Sequence, residues 1–258
     1  MKKYLILIVF ATLVLGCGSS RIKLTGCNHY TGWCNEIREI SSKSWMYAQL
    51  SKNVYNDQFQ FKVSDYFEQL QEFPNEDIDF YAVLFKERSN NGLVLVFRGT
   101  DSFKDFKTGN NPFKQSQNKY AIKIFDQIRK QYGREPVTVA GHSLGGGISI
   151  HVSLNRENVT AYSFNGSPVF RNKNDVENKR FSIVENGEIL KIVRALGREA
   201  DQLYTSIGCS KGNAVKQHDM QRLATCLTQI GGIEDPVARE SLKLNDIDFE
   251  YDPRKYGL

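Results

Sequence analysis

Residues 137 to 147, V-T-V-A-G-H-S-L-G-G-G, decide how this chain is read. A short apolar, β-branched run from Val137 to Ala140 breaks into Gly141-His142-Ser143-Leu144-Gly145, and two more glycines follow. The run reads as a buried strand, and G-x-S-x-G between a strand and a helix is the nucleophile-elbow motif. Its glycines have a steric reason. The serine sits on a sharp, strained turn, so side chains two positions either side collide with the neighbouring strand and helix. The turn is expected to leave the Ser143 hydroxyl exposed at the end of its strand, with the Leu144 N–H aimed at the same spot. That N–H opens a helix, where backbone donors are unpaired and the dipole favours developing negative charge. An incidental serine in a glycine-rich turn is the plain alternative, and the strand in front of it argues against that.

Outward from the elbow, strands alternate with helices. Phe80 to Lys86 and Leu93 to Phe97 read as strands joined across Ser89-Asn90-Asn91-Gly92, a turn signal. Ala121, Ile124, Phe125, Ile128 and Tyr132 mark one face of an amphipathic helix that stops at Gly133. Trp45, Ala48, Leu50 and Tyr55 recur near helical spacing, so a helix covers most of Ser44 to Asn56. Thr160 to Phe164 and Glu188 to Leu196 read as further strands. A last helix begins around His218, with Met220, Leu223, Ala224 and Leu227 on its inner face. This alternation predicts a mostly parallel central sheet with helices on both faces, in one domain over residues 41–258.

A serine hydroxyl needs a base, and imidazole titrates near neutral pH. The chain has four histidines. The elbow turns His142 away from the hydroxyl, and His151 lies eight residues along the helix, about 12 Å up its axis. His29 precedes the sheet. For these three a surface or capping role is favoured. His218 alone follows Ser143 at a loop-to-helix junction, which makes it the candidate base. The acid that orients it is sought between them, after a later strand. Asp201 fits, with Glu199 as the alternative. Asp175 lies in a polar run, and Asp219 adjoins His218 on a helix, where neighbours do not face each other. Asp235 of Asp235-Pro236-Val237 has no histidine after it. A second oxyanion donor is expected on the Phe97-Arg98-Gly99-Thr100-Asp101 turn, where the Thr100 N–H meets that of Leu144.

The chain opens Met1-Lys2-Lys3, runs apolar from Tyr4 to Leu15, and reaches Gly16-Cys17. A basic start, a short apolar stretch and a small residue make an export signal, too short to span a bilayer. Cys17 after Gly16 resembles a bacterial lipobox. Cleavage there leaves lipid on Cys17 and places the protein in a bacterial cell envelope, at the outer membrane or periplasmic face. Residues 1–16 are then a leader and 17–40 a tether. Losing Lys2 and Lys3 lowers the formal charge from +5 to +3. That excess suits an anionic lipid surface and is too weak to suggest nucleic acid. The remaining cysteines, Cys27, Cys34, Cys209 and Cys226, allow three pairings, of which proximity favours Cys27–Cys34 and Cys209–Cys226. Their spacing lacks a zinc pattern, and no metal or organic cofactor is called for.

F-R-G-T-D-S at 97–102, G-H-S-L-G-G at 141–146 and S-F-N-G-S-P-V-F at 163–170 resemble the class 3, or fungal-type, lipase family. Ala48-Gln49-Leu50-Ser51 and the close Asp201/His218 pair look more like its bacterial lipase-like branch. The resemblance covers roughly residues 44–230. It implies an α/β-hydrolase fold and a serine hydrolase of lipid carboxylic esters. Ser143 is then the nucleophile, His218 the base, Asp201 the orienter, and Thr100 with Leu144 the oxyanion hole. The chain departs from the family at Arg198-Glu199-Ala200-Asp201-Gln202-Leu203, where Asp-x-Val-Pro is usual. Alternatives are an esterase on cell-wall or polysaccharide acyl groups, and a non-catalytic lipoprotein that binds an acyl chain or a partner. Phe103, Phe106 and Phe113, within residues 102–120, mark a segment suited to act as a lid or lipid-docking loop, packed surface phenylalanines being the commoner case.

Overall fold

In β3 (Leu93–Phe97), successive side chains go to opposite faces, as the period of a strand requires. Val94 and Val96 enter one core, and Leu95 and Phe97 enter the other. The computed structural model describes residues 27–99, 112–169, 176–190, 194, 202–209 and 212–257. It shows one seven-stranded sheet whose spatial order follows the chain. The strands are β1 (Phe67–Asn75), β2 (Phe80–Glu87), β3, β4 (Val137–His142), β5 (Val159–Phe164), β6 (Lys179–Glu185) and β7 (Leu203–Ile207). β1 to β3 form an antiparallel meander, and β3 to β7 run parallel.

Parallel strands need crossovers, and here helices supply them on both faces. Helices α2 (Pro112–Tyr132) and α3 (Leu144–Asn155) cover one face, and α1 (Asn35–Asn53), α4 (Met220–Gly231) and α5 (Pro236–Leu244) cover the other. The α2 face reads as expected: Ala121, Ile124, Phe125 and Ile128 are buried. The helix ends at Gly133, whose φ of 88° is a conformation that glycine adopts without strain. On α4, Met220, Leu223, Ala224 and Leu227 are all buried, and the Asp219 carboxylate caps the helix by accepting from the Arg222 N–H at 2.8 Å. Both favoured disulfides, Cys27–Cys34 and Cys209–Cys226, are present.

The structure corrects several boundaries. Among the described residues the strand expected at Glu188 to Leu196 is not found: Glu188 to Leu190 belong to irregular, turning chain, Arg194 is helical, and the strand is β6, ending at Glu185. Lys179, Arg180 and Glu185 disguise β6 as polar. Arg180 is nonetheless buried, because its guanidinium donates to the Ser153 hydroxyl at 2.8 Å and the Ser153 carbonyl at 3.0 Å. β1 and β7 went unread as well; β1 is an edge strand with a largely polar, solvent-facing sequence. Helix α1 starts at Asn35 rather than near Ser44, and its Ile37 and Ile40 join the core, so the packed domain begins before residue 41. Residues 112–120 are the first turns of α2 rather than loop; the rest of 102–120, with Phe103 and Phe106, lies outside the described residues.

Candidate active site

Ser143 stands between β4 and α3 with φ 55° and ψ −121°, a backbone conformation few side-chain-bearing residues accept. Close packing holds it there. A Cβ on Gly145 would lie 2.1 Å from the Phe97 carbonyl oxygen, and one on Gly141 would lie 2.4 Å from the Gly145 carbonyl carbon. The Ser143 N–H donates to the Phe164 carbonyl at 3.1 Å, and the Ser143 carbonyl accepts from Gly147 N–H at 3.2 Å and Ser167 N–H at 2.9 Å. Leu144 is the first residue of α3, so its N–H has no carbonyl one turn earlier in the helix. Ser143 is only 6% exposed, against the expectation of an open hydroxyl. The glycine of the R-G-T turn abuts the elbow, since a Cβ on Gly99 would lie 2.7 Å from the His142 carbonyl oxygen and 3.2 Å from the Ser143 Cβ. Thr100, the next residue, lies outside the described residues.

His218 ends a 3₁₀ turn (Lys216–His218) that leads into α4. The structure sets it beside the elbow: its ring centroid is 4.6 Å from that of His142. The partner of its Nδ1 is Glu188, with Oε2 at 2.8 Å. Glu188 reaches it because β6 stops at Glu185 and Asn186-Gly187 turn the chain, with Gly187 at φ 83°. The same Glu188 oxygen accepts from the Leu190 N–H at 3.0 Å. Its other oxygen pairs with the Arg194 guanidinium, which also donates to the Gly166 carbonyl at 2.6 Å. Glu188 and Arg194 are both buried, so each charge is matched inside the protein.

Asp201 lies outside the described residues. Leu203, two residues later, opens β7, where it pairs with Phe181. Sequence reasoning missed Glu188 because it placed this residue inside a strand; the Asn186-Gly187 dipeptide, a turn signal, marked where the strand ends. Asp235 caps α5 through the Val237 N–H at 2.9 Å and accepts from the Trp45 indole N–H at 2.9 Å. His29 contacts Thr31 Oγ1 at 2.8 Å within its disulfide loop, and His151 is half-buried on α3.

Burial dominates the electrostatics of the two histidines. It pushes His218 down to about 4; the Arg194 guanidinium acts in the same direction and Asp219 opposes it. The ring is therefore a neutral acceptor at neutral pH, and the Glu188 carboxylate on Nδ1 favours the imidazolium once a proton arrives. His142 is held well below 6.5, again by burial first. Asn165 links the parts. Its side-chain oxygen accepts from the Glu185 N–H at 2.7 Å, and its amide donates to the Gln217 carbonyl at 3.3 Å, next to His218. Among the described residues, no three His, Cys, Asp or Glu side chains are grouped to hold a metal ion.

A strained serine elbow on a mostly parallel sheet, with a histidine carried by a loop near the chain's end, defines an α/β-hydrolase of the lipase type. The chain belongs to the phospholipase-like family described as the Tle-like phospholipase domain, which matches residues 46–240. This is a family of lipid-ester hydrolases. The lipase of Rhizopus microsporus var. chinensis is similar in structure, with TM-score 0.53 and 17% identity over 69% of this chain and 76% of its own. A deletion mutant of the Rhizomucor miehei lipase propeptide complex gives TM-score 0.52 and 16% identity over 75% of this chain and 79% of its own. The native form of that complex aligns over 62% of this chain and 63% of its own, at 19% identity and TM-score 0.47. At these identities the likeness is one of fold. No curated protein sequence is significantly similar to this chain.

Proposed function

We propose that this protein is an exported serine hydrolase that cleaves the acyl esters of phospholipids, with Ser143 as nucleophile, His218 as base and Glu188 as the acid that orients it. The observation carrying this reading is the buried Glu188–His218 contact beside a strained serine elbow. His218 Nε2 takes the Ser143 proton as Oγ bonds to the ester carbonyl carbon. The Leu144 N–H, with that of Thr100, stabilises the oxyanion. The carbon–oxygen bond to the leaving alcohol then breaks, and His218 returns the proton to that alcohol. Water repeats the sequence on the acyl-enzyme and releases the fatty acid. The family match favours phospholipid over other esters.

Export fits the two disulfides, which persist in oxidising compartments. Lipid on Cys17 would then hold the protein by its N-terminal tether. That tether joins the start of α1, whereas Tyr55, just past the other end of the helix, contacts the elbow residue His142. The start of α1 and the elbow contact thus lie at opposite ends of a 19-residue helix, about 28 Å long.

Mature protein exposed to a fluorophosphonate is expected to take one label, on Ser143. It is also expected to release fatty acid from phosphatidylethanolamine vesicles faster than from triacylglycerol emulsions or acylated polysaccharide. Ser143→Ala should abolish both activities, by about 10⁶-fold in turnover, and remain folded. Folded wild-type protein that takes no label would support the non-catalytic lipoprotein instead. Labelled protein that prefers acylated polysaccharide would move the substrate to the cell wall.

A further inference from the structure

His142 occupies the second position of the elbow and is buried at 6% exposure, where a leucine would serve packing as well. Both of its ring nitrogens are engaged. Nε2 lies 2.8 Å from the backbone carbonyl of His218, and Nδ1 lies 2.8 Å from the Tyr55 hydroxyl. A carbonyl only accepts, so the ring proton is on Nε2, and Nδ1 must accept from Tyr55. Burial keeps the ring neutral, consistent with that single tautomer. Tyr55 follows the last turn of α1, and its hydroxyl sits against the R-G-T turn, 2.4 Å from where a Gly99 Cβ would be.

We propose that Tyr55 and His142 are positioning residues for the base: the Tyr55 hydroxyl fixes the His142 tautomer, and His142 pins the His218 carbonyl so that its imidazole meets Ser143. The chain of contacts runs from α1, through the elbow, to the loop that carries the base. It gives one residue adjacent to the nucleophile a direct grip on the backbone of the histidine that must deprotonate that nucleophile. The side-chain contacts of Glu188 and Asn165 near His218 do not duplicate it, and the His218 N–H bond to the Val215 carbonyl at 3.0 Å stays within its own turn. Glu188 orients the ring about its own axis, and Asn165 holds the preceding carbonyl. The His142 bond sets where the ring stands, and a displacement of about 1 Å is enough to cost about 10²-fold in rate.

This inference rests on Ser143 and His218 being nucleophile and base, and the test separates the two. Mature wild type, Tyr55→Phe, His142→Leu and His142→Gln are compared by kcat and KM on a soluble short-chain ester, by the rate of fluorophosphonate labelling, and by thermal melting. Glutamine can donate to the His218 carbonyl and accept from Tyr55, so it serves as the conservative variant. His142→Leu is expected to lose about 100-fold in kcat and in labelling rate, with KM changed less than about threefold. Tyr55→Phe, which deletes only a hydroxyl, should lose about 10-fold. His142→Gln should recover most of the loss. If Tyr55→Phe and His142→Leu melt earlier but keep wild-type kcat and labelling while folded, the residues serve stability alone and the proposal is overturned. The same holds if His142→Gln is as slow as His142→Leu while folded. Should His142→Leu not fold, Tyr55→Phe decides the matter. An inactive, unlabelled wild type would instead defeat the nucleophile assignment.

Discussion

Around Ser143 the contacts are backbone on backbone, with Phe164, Gly147, Ser167 and two glycines packed too tightly to carry a Cβ. Around His218 they are side chains: Glu188 from the β6 turn, His142 from the elbow, and Asn165 acting through the carbonyl of Gln217. The Cys209–Cys226 bridge closes the surrounding loop. Ser143 is placed by the path of the chain itself, and His218 by groups that meet only in the folded domain. Damage to the first half should therefore take the fold with it. Damage to the second should take activity even from protein that stays folded, with a cost in stability where it unpairs a buried charge.

The largest effect is expected from Gly145→Ala. Its Cβ would meet the Phe97 backbone at 2.1 Å, and no side chain is there to yield. Stability should fall by about 4 kcal/mol or more, leaving little folded protein in a thermal melt. A variant that melts like wild type would show that the elbow has slack, and the contrast between the halves would dissolve.

Glu188→Gln probes the other half. The imidazole loses the carboxylate that fixes its tautomer, so kcat should fall by about 10³- to 10⁴-fold. The Arg194 guanidinium is left buried with its ion-pair partner gone, so stability should drop by about 3–5 kcal/mol, and assays belong at a temperature where melting shows the variant folded. Asp201→Asn and Asp235→Asn should keep near-wild-type turnover, the latter with a modest loss of melting temperature because Asp235 caps α5 and holds Trp45. A large loss of kcat in Asp201→Asn, with Glu188→Gln active, would return the acid to Asp201.

A smaller loss than at Glu188 is expected at the disulfide. Cys209→Ala with Cys226→Ala frees the loop that carries His218, removing about 3 kcal/mol in the chain-entropy view. Turnover should fall by about 10-fold, with KM changed less, because imidazole placement governs proton transfer. Undiminished turnover in folded double variant would show that Glu188, His142 and Asn165 hold the histidine without covalent help.

Local rules were enough for the serine half. Val137 to Gly147 carries its strand, its turn and its helix start in eleven consecutive residues, and each glycine is explained by contacts inside the motif or with the adjoining strand. The same holds for α2 and for the disulfide pairings, where period or proximity suffices. Glu188, which meets His218, was not legible in the same way: Lys179, Arg180 and Glu185 disguise β6, so the sequence pattern does not mark its end at Glu185.

The amino-acid sequence by itself determined the class of fold and singled out Ser143 and His218 as candidate nucleophile and candidate base, because these depend on short-range backbone sterics and on chain order. Only the tertiary structure decided that Glu188 meets His218, that Arg194 balances Glu188, and that His142 joins the Tyr55 hydroxyl to the His218 carbonyl. Those contacts join residues between 30 and 87 positions apart, or six in the case of Glu188 and Arg194, and no local period or motif encodes them. A buried charge is tolerated where it finds its partner, and that is settled when the sheet brings β5, β6 and the loop before α4 to one edge.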